Sequence, residues 1–302
     1  MREQTVRIGA NRLVGIVTEP DDGATADGDR PGVILLNAGL IQRVGPNRLY
    51  VHLARQLARQ GHTVLRFDLS AIGDSPRRLD NVPFDQSSVA ETREAMATLA
   101  AGWGVERFVL AGICTGAVVA LRTAREAEAV QGVGMINAQG LVADRAPAVS
   151  QYLDQGRAGR YYLTRALFQP ASWKKLAAGR ANVGAIARAC GQGVGRLLGR
   201  RPALDSPEAR QVADDLFRVT DGGRELLLLY SEGDPGRDEL DLILGGQRRA
   251  LRQAPGVTVG TVAGADHLFT PLAQQRAFIE TLTGWVGQLG RPLSAPSGQG
   301  AG

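Results

Sequence analysis

Short, wholly apolar runs alternate along the chain with longer stretches whose apolar residues recur every three or four positions. Val33-Ile34-Leu35-Leu36 has no polar position, the pattern of a strand buried on both faces of a parallel sheet. Val64 to Leu69, Phe108 to Ile113, Val133 to Ile136, Glu225 to Tyr230 and Val257 to Val262 predict further strands. Between them, Leu49, Leu53 and Leu57 mark one face of a helix over Leu49 to Arg59, which Gly61 stops. Helices are also predicted over Ser87 to Ala101 (capped by Ser87 or Ser88, with Glu91 following), Ala117 to Glu126, about Asp238 to Arg252, and Pro271 to Leu289. At the N-terminus, two β-prone runs around Ala10-Asn11, within Thr5 to Glu19, predict a hairpin, and Asp21 to Arg30 a polar loop. Such alternation predicts an α/β fold with a mostly parallel sheet, flanked by helices, behind an N-terminal β-hairpin. After Ile136 the pattern stops for about eighty residues, and the Ser/Gly/Pro-rich tail 291–302 is expected to be disordered.

The chain has 302 residues, 44% hydrophobic and 22% charged, which excludes a disordered or fibrous protein. A net charge of +5 raises nucleic acid or a membrane surface as partners. Residues 141–220 alone carry +7 and the remainder −2, so the basic character belongs to the stretch where the alternation stops. There is no helix-turn-helix signature, zinc-finger spacing or aromatic-interleaved basic stripe, and no nucleic-acid partner is expected. The longest nearly apolar run, Val109 to Leu121, is interrupted by Thr115 and falls short of the ~18 residues a membrane span needs. Met1 to Asn11 lacks the apolar core of a signal peptide, so the expected location is the cytoplasm. Cys114 and Cys190 make no disulfide framework and are not spaced with histidine as a zinc site. The glycine clusters at 132–134 and 191–195 lack the strand-to-helix spacing of a dinucleotide site, so no metal or cofactor is expected.

The chemistry concentrates in Gly112-Ile113-Cys114-Thr115-Gly116, between a predicted strand and a predicted helix. A nucleophile between two glycines at such a turn is a nucleophile elbow: the strained central residue crowds the positions two before and two after it, where only small residues fit. A thiol at a helix N-terminus beside an imidazole is pushed toward thiolate. Asp234 follows the strand ending at Tyr230, and His267 follows the last strand. Nucleophile, acid, base is the chain order of one hydrolase class. The other histidines, His52 and His62, lie in or beside the first helix, which leaves His267 as the base. Competing readings are a Cys114 buried in a retired site, a structural His267, and Asp238 or Asp241 as the acid. Cys190 reads as a buried hydrophobe, and Tyr161, Tyr162, Phe168 and Trp173 as apolar helix faces.

With this constellation the chain resembles the α/β-hydrolase superfamily over Gly32 to about Leu289. Phe67 to Ser75 looks like that family's loop after its fourth strand, and Asn37-Ala38-Gly39-Leu40 stands where the family has a His-Gly pair. The cysteine elbow resembles dienelactone hydrolases and thioester-processing enzymes. Asn37 to Arg48 with Phe67 to Ser75 also resembles hydrolase-like proteins found beside bacterial exosortase and exopolysaccharide systems. The resemblance implies a hydrolase core over residues 1–140 and 221–290, with a helical cap inserted at 141–220. It also implies an oxyanion hole made by the backbone N–H of Thr115 with that of Gly39 or Leu40. Arg43, just past that loop, is either a solvated charge or a contact for a substrate carboxylate or phosphate. The implied function is a Cys-His-Asp hydrolase forming an acyl-cysteine and hydrolysing an ester or thioester. The alternatives are an acyltransferase or carrier-releasing thioesterase passing the acyl group to an amine or alcohol, and a non-catalytic binding module on the same fold. The expected partner is a small-molecule or carrier-bound acyl substrate; the basic cap is either a seat for an acyl carrier protein, a coenzyme A thioester or an anionic surface, or a solvated Arg-rich helix face.

Overall fold

A computed structural model describes residues 1–20, 30–142, 204 and 206–289. Eight strands form one sheet: β1 (Arg2–Ile8), β2 (Leu13–Glu19), β3 (Gly32–Leu36), β4 (Val64–Phe67), β5 (Phe108–Ile113), β6 (Val130–Ile136), β7 (Glu225–Ser231) and β8 (Val257–Val262). Their spatial order is β1-β2-β4-β3-β5-β6-β7-β8. The hairpin β1–β2 is antiparallel and β2 meets β4 antiparallel; every other pair is parallel. This is the mostly parallel α/β sheet behind an N-terminal hairpin that the alternation of apolar runs predicts.

Period-two alternation divides the strands between two cores. Val33 and Leu35 of β3, Val109, Ala111 and Ile113 of β5, and Leu227 and Leu229 of β7 face helices α1 (Leu49–Arg59) and α7 (Leu272–Val286). Ile34, Leu36, Leu110, Leu226 and Leu228 face the opposite way. There they meet α2 (Phe84–Trp103), α3 (Thr115–Glu126), α4 (Pro207–Asp221) and α5 (Pro235–Leu244), while α6 (Arg248–Gln253) follows α5. Leu49, Leu53 and Leu57 are fully buried, as their spacing implies, and Gly61, at φ 89°, ends the turn after α1.

Two helices differ from expectation. Helix α2 begins at Phe84 after Pro83, whose ring presets the entry; Ser87 and Ser88 lie inside its first turns, with hydroxyls bonded back to Phe84 and Asp85 carbonyls. Glu91 caps nothing and instead holds the Ser70 N–H and hydroxyl and Arg78. The helix expected at about Asp238 to Arg252 starts at Pro235 and is broken at Gly245, at φ 49°, before α6 resumes. The segment assigned to a cap ends in α4, whose Ala209, Ala213, Leu216 and Val219 belong to the main core. Residues 143–203 of that segment, with Cys190 and the four aromatic positions, lie outside the described residues, as does the tail 291–302.

From β3 the chain crosses to β4 on one side, then back to β5 on the other. Loops leaving the carboxyl ends of β3 and β5 therefore diverge, and the crevice between them is where such sheets bind ligands. Tyr50 of α1 pins the two strand ends together: its hydroxyl donates to the Leu36 carbonyl at 2.9 Å and accepts the Ile113 N–H at 3.0 Å. Tyr50→Phe orphans both buried backbone groups and is expected to cost about 1–3 kcal/mol. Urea denaturation should show a lower midpoint with an unchanged slope; an unshifted midpoint would mean the bridge contributes nothing.

Candidate active site

Cys114 is the hinge between β5 and α3, at φ 59° and ψ −119°. No L-residue takes this conformation without strain, and the neighbours make room for it. A Cβ on Gly112 would lie 2.4 Å from the Gly116 carbonyl carbon, and one on Gly116 would lie 2.6 Å from the Asn37 carbonyl oxygen. Both obstacles are backbone, which cannot step aside as a flexible side chain can. The Cys114 N–H donates to Ile136 at 2.9 Å, tying the elbow to β6. The thiol is free and half-buried at the start of α3.

Asp234 ends the β7 turn and is the N-cap of α5. Its Oδ1 accepts the Gly236 N–H at 2.8 Å, and its Oδ2 lies 2.6 Å from His267 Nδ1. One carboxylate thus starts a helix and orients an imidazole, and its side chain is 1% exposed. The hydrogen bond to Asp234, and a second to the Cys114 thiol, raise the His267 pKa to about 10 against partial burial. The structure therefore brings Cys114, His267 and Asp234 together in that order. Of the competing acids, Asp241 faces Arg248 and Arg252 instead.

Two residues outside the expected set complete this side. Asn137, buried at the end of β6 with φ 46°, donates through Nδ2 to Ser231 Oγ and to the His267 carbonyl, both at 2.8 Å. Its Oδ1 accepts the Ser231 N–H at 2.7 Å, so one amide clamps β6, β7 and the histidine loop. Gln139 Nε2 donates to Asp234 Oδ1 at 3.2 Å and sits 3.1 Å from His267 Nδ1. Behind it, buried Glu239 of α5 receives the Gly140 and Leu141 N–H groups. Burial raises the Glu239 pKa, opposed by those N–H bonds.

On the other side, Ala38 to Ile41 is a tight turn closed by the Ile41 N–H on the Ala38 carbonyl at 3.1 Å, with Gly39 at φ 59°. The Gly39 N–H donates to Thr115 Oγ1 at 3.0 Å, and the Leu40 side chain is 89% exposed. Asp68, fully buried, holds the base of this loop: it accepts Asn37 Nδ2, the Arg43 N–H and the Arg43 guanidinium. The second guanidinium nitrogen of Arg43 bonds Asp74 at 2.6 Å. Arg43 is therefore bonded to two carboxylates and anchors the loop. Among the described residues, no group of three or more histidine, cysteine or acidic side chains is placed to hold a metal. Among them, too, no helix is long and apolar enough to cross a membrane.

This geometry agrees with what comparison finds. The profile of the "Alpha/beta hydrolase family" matches residues 34–281. No curated protein matches the sequence. Among solved structures, proline iminopeptidase of Mycobacterium smegmatis is similar at 17% identity and TM-score 0.55, covering 96% of this chain and 99% of its own. The alpha/beta hydrolase GrgF of Penicillium sp. sh18 is similar at 13% identity and TM-score 0.57, over 95% and 99% of the two chains. A thermophilic esterase of Thermogutta terrifontis is similar at 13% identity and TM-score 0.55, over 96% and 100%. At such identities these structures speak to the fold. With the family profile covering most of the chain, and elbow, acid and histidine in their expected order, the chain belongs to the alpha/beta hydrolase family.

Proposed function

We propose that this chain is a cysteine-dependent acyl hydrolase that cleaves an ester or a thioester through an acyl-cysteine at Cys114. One observation carries the reading: buried Asp234 lies 2.6 Å from His267 Nδ1, and the Cys114 thiol, on a residue held in a strained elbow, also raises that ring's pKa. An imidazole whose pKa is raised to about 10 stays protonated at neutral pH, and an imidazolium beside sulfur favours thiolate. In the first half-reaction the sulfur bonds to the acyl carbon and the carbonyl π-electrons move onto oxygen. Collapse of that adduct breaks the bond to the alcohol or thiol, which leaves with the His267 proton. His267, now neutral, takes a proton from water as the water oxygen attacks the acyl-cysteine. The carboxylic acid departs and the thiolate–imidazolium pair is restored. The Thr115 and Leu40 N–H groups supply oxyanion donors, the Gly39 N–H being engaged by Thr115 Oγ1.

A thioester substrate suits this nucleophile because the acyl-cysteine is itself a thioester, so the first exchange is nearly balanced in energy. Intact-mass measurement after mixing with an activated acyl thioester should show one acyl addition, mapped to Cys114 and absent from Cys114→Ala. That variant should lose turnover by on the order of 10⁴-fold or more. Full activity in Cys114→Ala would overturn the proposal. Added amine or alcohol acceptors read whether the acyl group goes to water or to an acceptor.

The pair also makes stability depend on pH. His267 binds its proton more tightly in the folded chain than at the ordinary 6.5, so protonation favours the fold. That contribution is complete below about pH 6.5 and is lost as pH rises through about 10. The Tm difference between the wild type and His267→Gln should therefore narrow as pH rises from 7 to about 10. A gap that stays constant would show that His267 is not held protonated by Asp234.

A further inference from the structure

We infer that the Thr115 side-chain hydroxyl is itself an oxyanion donor, relaying the Gly39 N–H to the developing charge. The inference rests on the acyl-cysteine reading above. Gly39 supplies one of the loop N–H groups expected to face an oxyanion, yet it donates to Thr115 Oγ1 at 3.0 Å. A hydroxyl that accepts one hydrogen bond keeps its own O–H to give. Among the described residues, no acceptor takes that hydrogen.

Position explains why. Thr92, Thr98, Thr281 and Thr283 each donate their hydroxyl to a helix carbonyl one turn back, at 2.7 to 2.8 Å. Thr115 is the first residue of α3 and has no turn of that helix behind it. Its backbone N–H is likewise without an intrahelical acceptor. The hydroxyl follows the nucleophile directly and bridges the elbow to the facing loop. As sulfur adds and the carbonyl oxygen becomes anionic, the chain Gly39 N–H to Thr115 O–H to oxyanion is polarised in one direction. A hydroxyl that is already accepting a hydrogen bond is thereby a stronger donor. Thr115 thus presents two donors, O–H and N–H, from a single residue.

The opposite arrangement makes the opposite prediction. If the hydroxyl only masked Gly39, removing it would free a direct backbone donor and speed the reaction. The test compares wild type, Thr115→Val, Thr115→Ser and Cys114→Ala on an activated aryl ester and an acyl thioester. Alongside, the rate of iodoacetamide alkylation at Cys114 is read by peptide mass. Thr115→Val should lower kcat by about 10²-fold with KM changed by less than about threefold, and Thr115→Ser should stay within about fivefold of wild type. Alkylation creates no oxyanion, so its rate should be the same in both Thr115 variants as in wild type. Thr115→Ala answers the same question if valine crowds α3. An unchanged or raised kcat in Thr115→Val overturns the inference, as does an equal loss of alkylation, which would mark a disturbed elbow. An active Cys114→Ala would instead overturn the acyl-cysteine reading itself, so the two failures are told apart.

Discussion

Everything at this site depends on a steric constraint in the backbone between Gly112 and Gly116. Cys114 occupies a conformation that costs on the order of 1–3 kcal/mol, and it persists because the surrounding contacts leave no cheaper path. Gly112 packs against the Gly116 backbone, and Gly116 against the carbonyls of Leu36 and Asn37. Three segments, the end of β3, the elbow and the first turn of α3, therefore share one close backbone contact. A single methyl at either glycine would drive them apart. Because the loop at Asn37 is pressed against the elbow, the Gly39 N–H is held at hydrogen-bond distance from the Thr115 hydroxyl oxygen that accepts it. Strain and preorganisation are the same feature seen from two sides.

Electrostatics around the elbow follow from how few polar groups are left to water. Asp234 receives a helix-cap N–H, an imidazole and a glutamine amide, and Asp68 receives a guanidinium, a backbone N–H and an asparagine amide. Each buried carboxylate is surrounded by donors, which is what keeps a buried charge tolerable. The two hubs stand on opposite sides of the elbow with different tasks. Asp234 acts on the imidazole; Asp68 acts on the loop that faces the sulfur. Arg43 is the counter-charge of the second hub.

The parts of this arrangement legible in the sequence are those whose cause is local. Val33 to Leu36 and Phe108 to Ile113 read as strands because a doubly buried strand needs no polar position. The elbow reads directly because its steric requirement falls on residues two positions away. Asn137 and Gln139 do not read at all: their partners lie 94 to 130 residues along the chain, and an Asn or Gln after a strand looks like any polar turn. The start of α2 was obscured by Ser87 and Ser88, good caps by type, which lose to Pro83 because proline fixes the entry a turn earlier. The break in the helix after Asp234 was signalled only by Gly245-Gly246, and the start by the proline that follows the acid.

At the middle of the site, buried Asp234 holds the His267 ring and favours its protonated form. The carbon-bound protons of an imidazole shift when the ring gains a proton, so an NMR titration of His267, assigned by its loss in His267→Gln, reads that ring directly. A ring held by Asp234 should still be protonated at neutral pH and release its proton near pH 10. A ring that releases its proton near the ordinary 6.5 would refute this.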